Sequence, residues 1–293
     1  VSDVYHPGSA MKGISICGAL EYGVVDLDDV FYCEKGLWWY GGKPLRDSGH
    51  HYKDLTVLEI VQKSSNIGTA KVTMRLGEVR FYQSLRRFGF GARTGIELPF
   101  ESRGLLPPVK KWDKLSITRF PMGQGLAVTP LQMVQAYSAI ANRGRMMQLF
   151  LIDRVVDPRT GRTIDRTMPR LKRMATTPRA AAKITRALKQ VTREGGTATR
   201  AAVPGFATAG KTGTSQKLVN GTYEGHRKYV ASFVGFVPAD DPAFVLIVVA
   251  DEPDASLGYY GGTVCGPTFK RISMRALRYL NVQPVVAIGE GMP

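Results

Sequence analysis

The chain has 293 residues, a length that suits one large domain or two small ones. Its 44% hydrophobic content permits a full globular core, and its longest strongly apolar run, residues 243–250, is far short of the ~20 residues a membrane helix needs. The formal charge is +16, with basic residues clustered at 154–200, but no aromatic residues alternate with them, so a base-stacking platform is not suggested and nucleic acid ranks third among the readings of this cluster. That cluster reads as a solvated basic face or as one drawn to anionic lipid or wall polymer.

In chain order, helical periodicity begins at Gly8 and Ser9 and runs to Tyr22, with Ala10, Met11, Ile14, Cys17 and Leu20 as apolar positions. Ser9 and Lys12 stand at i and i+3, on one face. Residues 26–53 are irregular and rich in glycine and aromatics, with a hairpin at Gly41-Gly42. Helical spacing resumes at Leu55, Leu58, Ile60 and Val61, then breaks at Ser64-Ser65-Asn66, where small polar residues fit a turn open to a cleft. Residues 67–76 and 79–88 read as helices. Thr129-Pro130-Leu131-Gln132 is a capping box, and its helix runs to Asn142 and ends at Gly144. A small hairpin is predicted at 152–163, turning at Asp157-Pro158 and Thr160-Gly161. A helix follows from Thr177-Pro178 to Gly195-Gly196.

Three strands come next, at 206–217, 229–237 and 244–250. The last is apolar throughout, so burial on both faces is expected. Short connections imply antiparallel pairing. A closing helix covers 267–280. The three cysteines, Cys17, Cys33 and Cys265, give no paired framework and read as small buried hydrophobes, with a disulfide left open. His6, His50, His51 and His226 lack metal-ligand spacing, and neither a metal nor a cofactor is expected.

Three short motifs occur in one order: Ser9-Ala10-Met11-Lys12, Ser64-Ser65-Asn66 and Lys211-Thr212-Gly213-Thr214. Ser-x-x-Lys and Ser-x-Asn carry little weight alone; Lys-Thr-Gly-Thr is much rarer. Together they bring a serine hydroxyl, two lysines and a pair of threonine hydroxyls into one ordered set, and a lysine can act as a base where burial lowers its pKa.

With their flanks these motifs resemble class B penicillin-binding proteins, the monofunctional peptidoglycan transpeptidases of the cell-division and elongation type. Tyr5-His6-Pro7-Gly8-Ser9, Gly123-Gln124-Gly125, Val128-Thr129-Pro130-Leu131-Gln132, Gly195-Gly196-Thr197-Ala198, Tyr259-Tyr260-Gly261-Gly262 and Leu277-Arg278-Tyr279-Leu280 carry the resemblance from Tyr5 to about Pro284. Two positions depart from it. Gly13 stands where the family usually has proline, and Met146-Met147-Gln148 follows the Asn-x-Gly turn where a proline usually does.

The resemblance implies a mixed α/β fold of the penicillin-binding protein and serine β-lactamase type: a five-stranded antiparallel sheet, helices on both faces, and a helical subdomain. Residues 1–284 would be the transpeptidase domain without its first two strands, and 285–293 a tail. A membrane anchor and a non-catalytic domain would precede it in a longer protein. The strand at 244–250 is then expected to keep one open edge, an aggregation liability that another polypeptide segment would cover.

The resemblance also implies roles. Ser9 would be acylated, with Lys12 as its base and Lys211 as the second cation. Ser64 would bridge the two amines, and Asn66 would hold Lys12 and bind a substrate amide. Thr212 and Thr214 would clamp a terminal carboxylate, and Gly213 would admit the substrate backbone. The N–H groups of Ser9 and Thr214 would form the oxyanion hole. Tyr259 and Tyr260 would form an aromatic wall, although a core role for them stays open.

The implied substrates are D-Ala-D-Ala stem peptides and the implied inhibitors β-lactams. The implied partners are a membrane-embedded glycosyltransferase and divisome or elongasome proteins, at the outer face of the bacterial cytoplasmic membrane. No Glu-x-x-Leu-Asn pattern lies between the second and third motifs, which argues against β-lactamase turnover. A D,D-carboxypeptidase, a β-lactam sensor that does not turn over, and a structural partner remain as rival readings.

Overall fold

The computed structural model describes residues 1–217 and 228–284. The expected tail at 285–293 and His226 lie outside them. A 3-10 turn, Gly8–Ala10, runs straight into α1 (Met11–Glu21). Met11 through Leu20 are all buried. A helix with no solvent face belongs at the centre of a domain, and the rest of the chain is built around this one.

The irregular segment expected next contains β1 (Val30–Tyr32), a hairpin of β2 (Leu37–Tyr40) and β3 (Lys43–Arg46), and β4 (Asp54–Thr56), which returns to pair with β1. The hairpin turns at Gly41-Gly42, as the sequence suggests. Leu55 is a strand residue rather than a helical one. Thr56 explains the difference: it accepts from Glu59 N while Glu59 Oε2 accepts from Thr56 N, so the capping box starts α2 (Val57–Lys63) two residues later.

Next come α3 (Asn66–Leu76), α4 (Glu78–Arg87), α5 (Ser116–Arg119) and α6 (Pro130–Ala141), the last with the predicted Thr129–Gln132 capping box. Beyond α6, β5 (Arg145–Met147) pairs with β8 (Leu171–Met174), enclosing an exposed hairpin of β6 (Arg154–Val156) and β7 (Thr163–Arg166). The hairpin turns where expected and continues three residues further. Helix α7 (Pro178–Gln190) is capped by Thr177 and stops before the glycine pair, which lies in a following turn.

Strands β9 (Ala209–Gln216), β10 (Tyr229–Val237) and β11 (Phe244–Asp251) form an antiparallel sheet in the order β11-β10-β9. Then α8 (Gly261–Val264) and α9 (Gly266–Tyr279) close the fold. Helices α6 and α9 both pack on this sheet, and α1 packs against α3, α4 and α7. The expected burial of β11 is corrected. Seven of its eight residues are only partly buried, whereas β10 is buried from Val230 on. The central strand has neighbours on both sides, while β11 pairs with β10 alone among the described residues, so its outer edge has no strand partner there. Cys17, Cys33 and Cys265 are buried free thiols.

Candidate active site

The three motifs, far apart in sequence, meet at one cleft of about 850 Å³. Ser9, Ser64, Asn66, Thr212, Thr214, Tyr259 and Tyr260 line it, and Lys12 and Lys211 lie beneath, both 0% exposed. Each motif is set by its element. Ser9 sits in the 3-10 turn and Lys12 in the first turn of α1. Ser64 ends α2 in the left-handed region at φ 60°, ψ 40°, which a non-glycine residue adopts at a cost of about 1–2 kcal/mol. That strained cap turns the chain toward the cleft, and Ser65 caps α3 by accepting from Gly68 N at 2.9 Å.

The hydroxyl of Ser64 stands between two amines. Lys12 Nζ lies 3.1 Å from Ser64 Oγ and Lys211 Nζ 2.9 Å from it. Lys12 also donates to the Ser64 carbonyl at 2.5 Å and to Asn66 Oδ1 at 2.6 Å. The two amines thus meet at the hydroxyl of Ser64, the residue expected to bridge them, and Asn66 holds Lys12, while Ser9 Oγ has no hydrogen-bond partner among the described residues. Three oxygens on the Ser64–Asn66 turn hold the Lys12 amine.

A hydroxyl carries one proton, so it can donate to one amine only while accepting from the other. Burial lowers the Lys12 pKa from 10.5 to about 7, and the Asp47 charge opposes the shift. Burial also pushes Lys211 well below its ordinary value, and the Lys12 charge pushes it further. Both shifts favour the neutral amine, and two groups this close titrate as a coupled pair.

On β9, Lys211 Nζ reaches Thr212 Oγ1 at 3.2 Å, and Thr212 Oγ1 lies 3.2 Å from Thr197 Oγ1. Thr214 Oγ1 accepts from Gly261 N at 3.1 Å, which leaves its proton free for an acceptor in the cleft. Gly213 does not line the cleft. A Cβ there would sit 2.3 Å from Ser232 Oγ and 2.6 Å from Pro7 O, so its bareness serves packing of β9 against the Ser9 turn, not approach of a substrate. The backbones of Gly8 and Thr214 touch: a Cβ on Gly8, at φ +54°, would lie 2.5 Å from Thr214 O. The two expected oxyanion donors, Ser9 N–H and Thr214 N–H, therefore belong to abutting segments.

The profile of the family described as penicillin binding protein transpeptidase domain matches residues 1–274. The chain belongs to that family. Within it, the chain falls among the class B proteins. It is 36% identical over 284 residues to a probable peptidoglycan D,D-transpeptidase of Neisseria gonorrhoeae, covering 97% of this chain and 46% of that protein. Against stage V sporulation protein D of Bacillus subtilis the identity is 37% over 288 residues, covering 97% and 44%. The transpeptidase domain of Burkholderia pseudomallei penicillin-binding protein 3 superposes with a TM-score of 0.87 at 33% identity, covering 97% of this chain and 82% of that one. Mycobacterium tuberculosis penicillin-binding protein 3, complexed with ampicillin, gives 0.88 at 33%, covering 99% and 65%. The chain thus spans about half the length of the curated relatives it matches.

Several residues of this transpeptidase domain were missed from sequence. Asp47, just past β3, accepts from Asn66 N at 2.5 Å, Ile67 N at 3.1 Å and Ser65 Oγ at 2.8 Å. It is the one carboxylate lining the cleft among the described residues, and no local pattern joins it to a turn 18 residues on. Tyr229 stacks on Tyr259 at 4.2 Å, and Tyr259 on Tyr260 at 4.5 Å. With Tyr260 52% exposed, the aromatic group is a cleft wall and not core. Tyr229 opens β10 opposite Gln216, a pairing that only the structure reveals.

Proposed function

We propose that this domain is the catalytic unit of a peptidoglycan D,D-transpeptidase. The observation that carries the reading is the convergence of Lys12 and Lys211 on Ser64 Oγ, beneath a cleft lined by Ser9. A stem peptide would lie along β9 with its terminal carboxylate at the Thr212 and Thr214 hydroxyls and Lys211. Ser9 Oγ attacks the carbonyl of the penultimate D-alanine while Lys12, as the neutral amine, takes its proton. A direct Ser9–Lys12 hydrogen bond would form around substrate, as catalytic hydrogen bonds often tighten only in the complex. The N–H groups of Ser9 and Thr214 hold the oxyanion.

The C–N bond then breaks, and the departing D-alanine nitrogen receives a proton through the Lys211–Ser64 pair. An amine of a neighbouring stem attacks the resulting ester, forms the cross-link amide and returns the proton to Ser9. A β-lactam would acylate the same serine. Asp47 has both oxygens occupied by the Ser65–Ile67 turn, so it offers no base to activate water, and the acyl-enzyme should be long-lived. This favours transfer to an amine over hydrolysis.

The domain works at the outer face of the cytoplasmic membrane in this reading, tethered by a further part of the protein that also contacts a glycosyltransferase and division or elongation partners. Among the described residues, no helix is long and apolar enough to cross a membrane. The domain itself would span residues 1–284. The test is labelling with fluorescent penicillin, then a stem-peptide thioester with a D-amino acid acceptor. A Ser9-dependent label with amide product supports the transpeptidase; label with acid product alone indicates a carboxypeptidase; label without turnover indicates a sensor.

A further inference from the structure

Helix α1 carries both Ser9 and Lys12 at its start, yet the residue after Lys12 is glycine, the least restrained choice in a helix. The structure shows what stands in the place of a side chain. A Cβ on Gly13 would lie 2.5 Å from the Tyr137 hydroxyl oxygen and 3.3 Å from its Cζ. Tyr137 comes from α6, is fully buried, and donates its hydroxyl to the Ala10 carbonyl at 2.7 Å. Ala10 follows Ser9 directly and is the N-cap residue of α1.

On the other side of the same turn, β9 approaches so closely that a Cβ on Gly213 would meet Pro7 O and, at 3.3 Å, Ala10 Cβ. The Ser9–Lys12 turn is therefore gripped from two directions, by a backbone on one side and by a single phenol on the other. Below it, Ser15 Oγ bonds to Met11 O at 3.1 Å and Pro121 O at 3.2 Å, which anchors the second turn but not the first.

We propose that Tyr137 is a positioning residue for the acylation step: its hydroxyl, seated in the space Gly13 leaves open and bonded to Ala10 O, fixes the turn that aligns Ser9 with Lys12. Tyr137 touches neither substrate nor the reacting atoms. It acts by holding the helix start, so its loss should lower the rate of the chemical step and leave β-lactam recognition in the cleft intact. The proposal rests on the transpeptidase reading for its kinetic part and on geometry alone for its structural part.

The experiment compares wild type, Tyr137→Phe, Gly13→Ala and the double variant in acylation by fluorescent penicillin, thermal melting, and hydrogen–deuterium exchange of peptides covering residues 8–14. Tyr137→Phe should melt like wild type within a few degrees, acylate roughly ten- to a hundredfold more slowly with unchanged half-saturation, and exchange faster only at 8–14. Gly13→Ala alone should melt lower, because its methyl collides with the hydroxyl. The double variant should regain the melting temperature yet stay as slow as Tyr137→Phe.

Wild-type acylation by Tyr137→Phe, or recovery of the rate by the double variant, would overturn the proposal and leave only a steric pair. So would unchanged exchange at 8–14. If wild type itself is not labelled, the transpeptidase reading fails separately and the exchange comparison still decides whether Tyr137 clamps the turn.

Discussion

Lys211, in the middle of β9, lies 2.9 Å from Ser64, the residue that ends α2, so the sheet and the helical region are joined by one polar contact at the floor of the cleft. The like charge of Lys12, on the other side of the same hydroxyl, adds to burial in lowering the Lys211 pKa.

The first prediction concerns that charge. Lys211→Met should slow acylation by β-lactam by about 10²–10⁴, the range a positioned acid–base group contributes. Removing the second cation also relieves Lys12, so the acid limb of the remaining activity should move upward in pH. Stopped-flow acylation between pH 5 and 10 reads both effects. A limb left in place would mean that the two amines are uncoupled.

The second concerns pH in the intact protein. With Lys12 brought to about 7, acylation should rise with pH through 7 and then level off, as the neutral amine becomes the main form. Stability has its own sign. Lys12 holds its proton up to 10.5 when exposed in the unfolded chain but only to about 7 when folded. Between those values unfolding takes up a proton, so this group's contribution to stability grows as pH rises through the window. The urea midpoint should gain more from pH 7 to 9.5 in wild type than in Lys12→Met. Parallel midpoints would contradict the shift.

The third concerns Asp47. Its carboxylate satisfies two backbone N–H groups and one hydroxyl at the start of α3. Asp47→Ala should cost about 1–3 kcal/mol in chemical unfolding, the penalty for unpaired buried donors. Acylation should fall with it, because the Ser64–Asn66 turn would lose its brace. Asp47→Asn, which keeps one acceptor oxygen, should retain part of both. Full stability in Asp47→Ala would show that the turn holds itself.

The fourth concerns Gly8. At φ +54°, with Thr214 O 2.5 Å from where its Cβ would be, Gly8→Ala must push the Ser9 turn off β9. Labelling should be lost while the distant β5–β8 and β6–β7 pairs keep their hydrogen-exchange protection. Normal labelling would place the oxyanion donors elsewhere.

Much of this was legible beforehand, and the reasons are physical. The strands β9 to β11, the Thr129–Gln132 capping box and α1 announce themselves through local periodicity and caps, which a single sequence records. The motifs give the chemistry because Lys211-Thr212-Gly213-Thr214 is rare. What the sequence conceals is long-range. Nothing near Asp47 marks it as the brace of a turn 18 residues on. That Lys12 rests on Ser64 and Asn66 was expected only through the resemblance, since Ser9-Ala10-Met11-Lys12 alone does not record where the strained cap at Ser64 points. The partial burial of β11 was missed although its open edge was expected, because burial on both faces was read from the apolar run alone and an apolar run does not record what covers it.

The central claim is that Ser9 is acylated through the lysine pair beneath it. Intact-mass spectrometry after incubation with a penicillin, followed by peptide mapping, tests it most directly. One added penicilloyl mass on the peptide holding Ser9, persisting for many minutes in wild type and strongly reduced in Ser64→Ala and Lys211→Met, is the expected result. An adduct on another residue, or equal labelling of wild type and both variants, would contradict it.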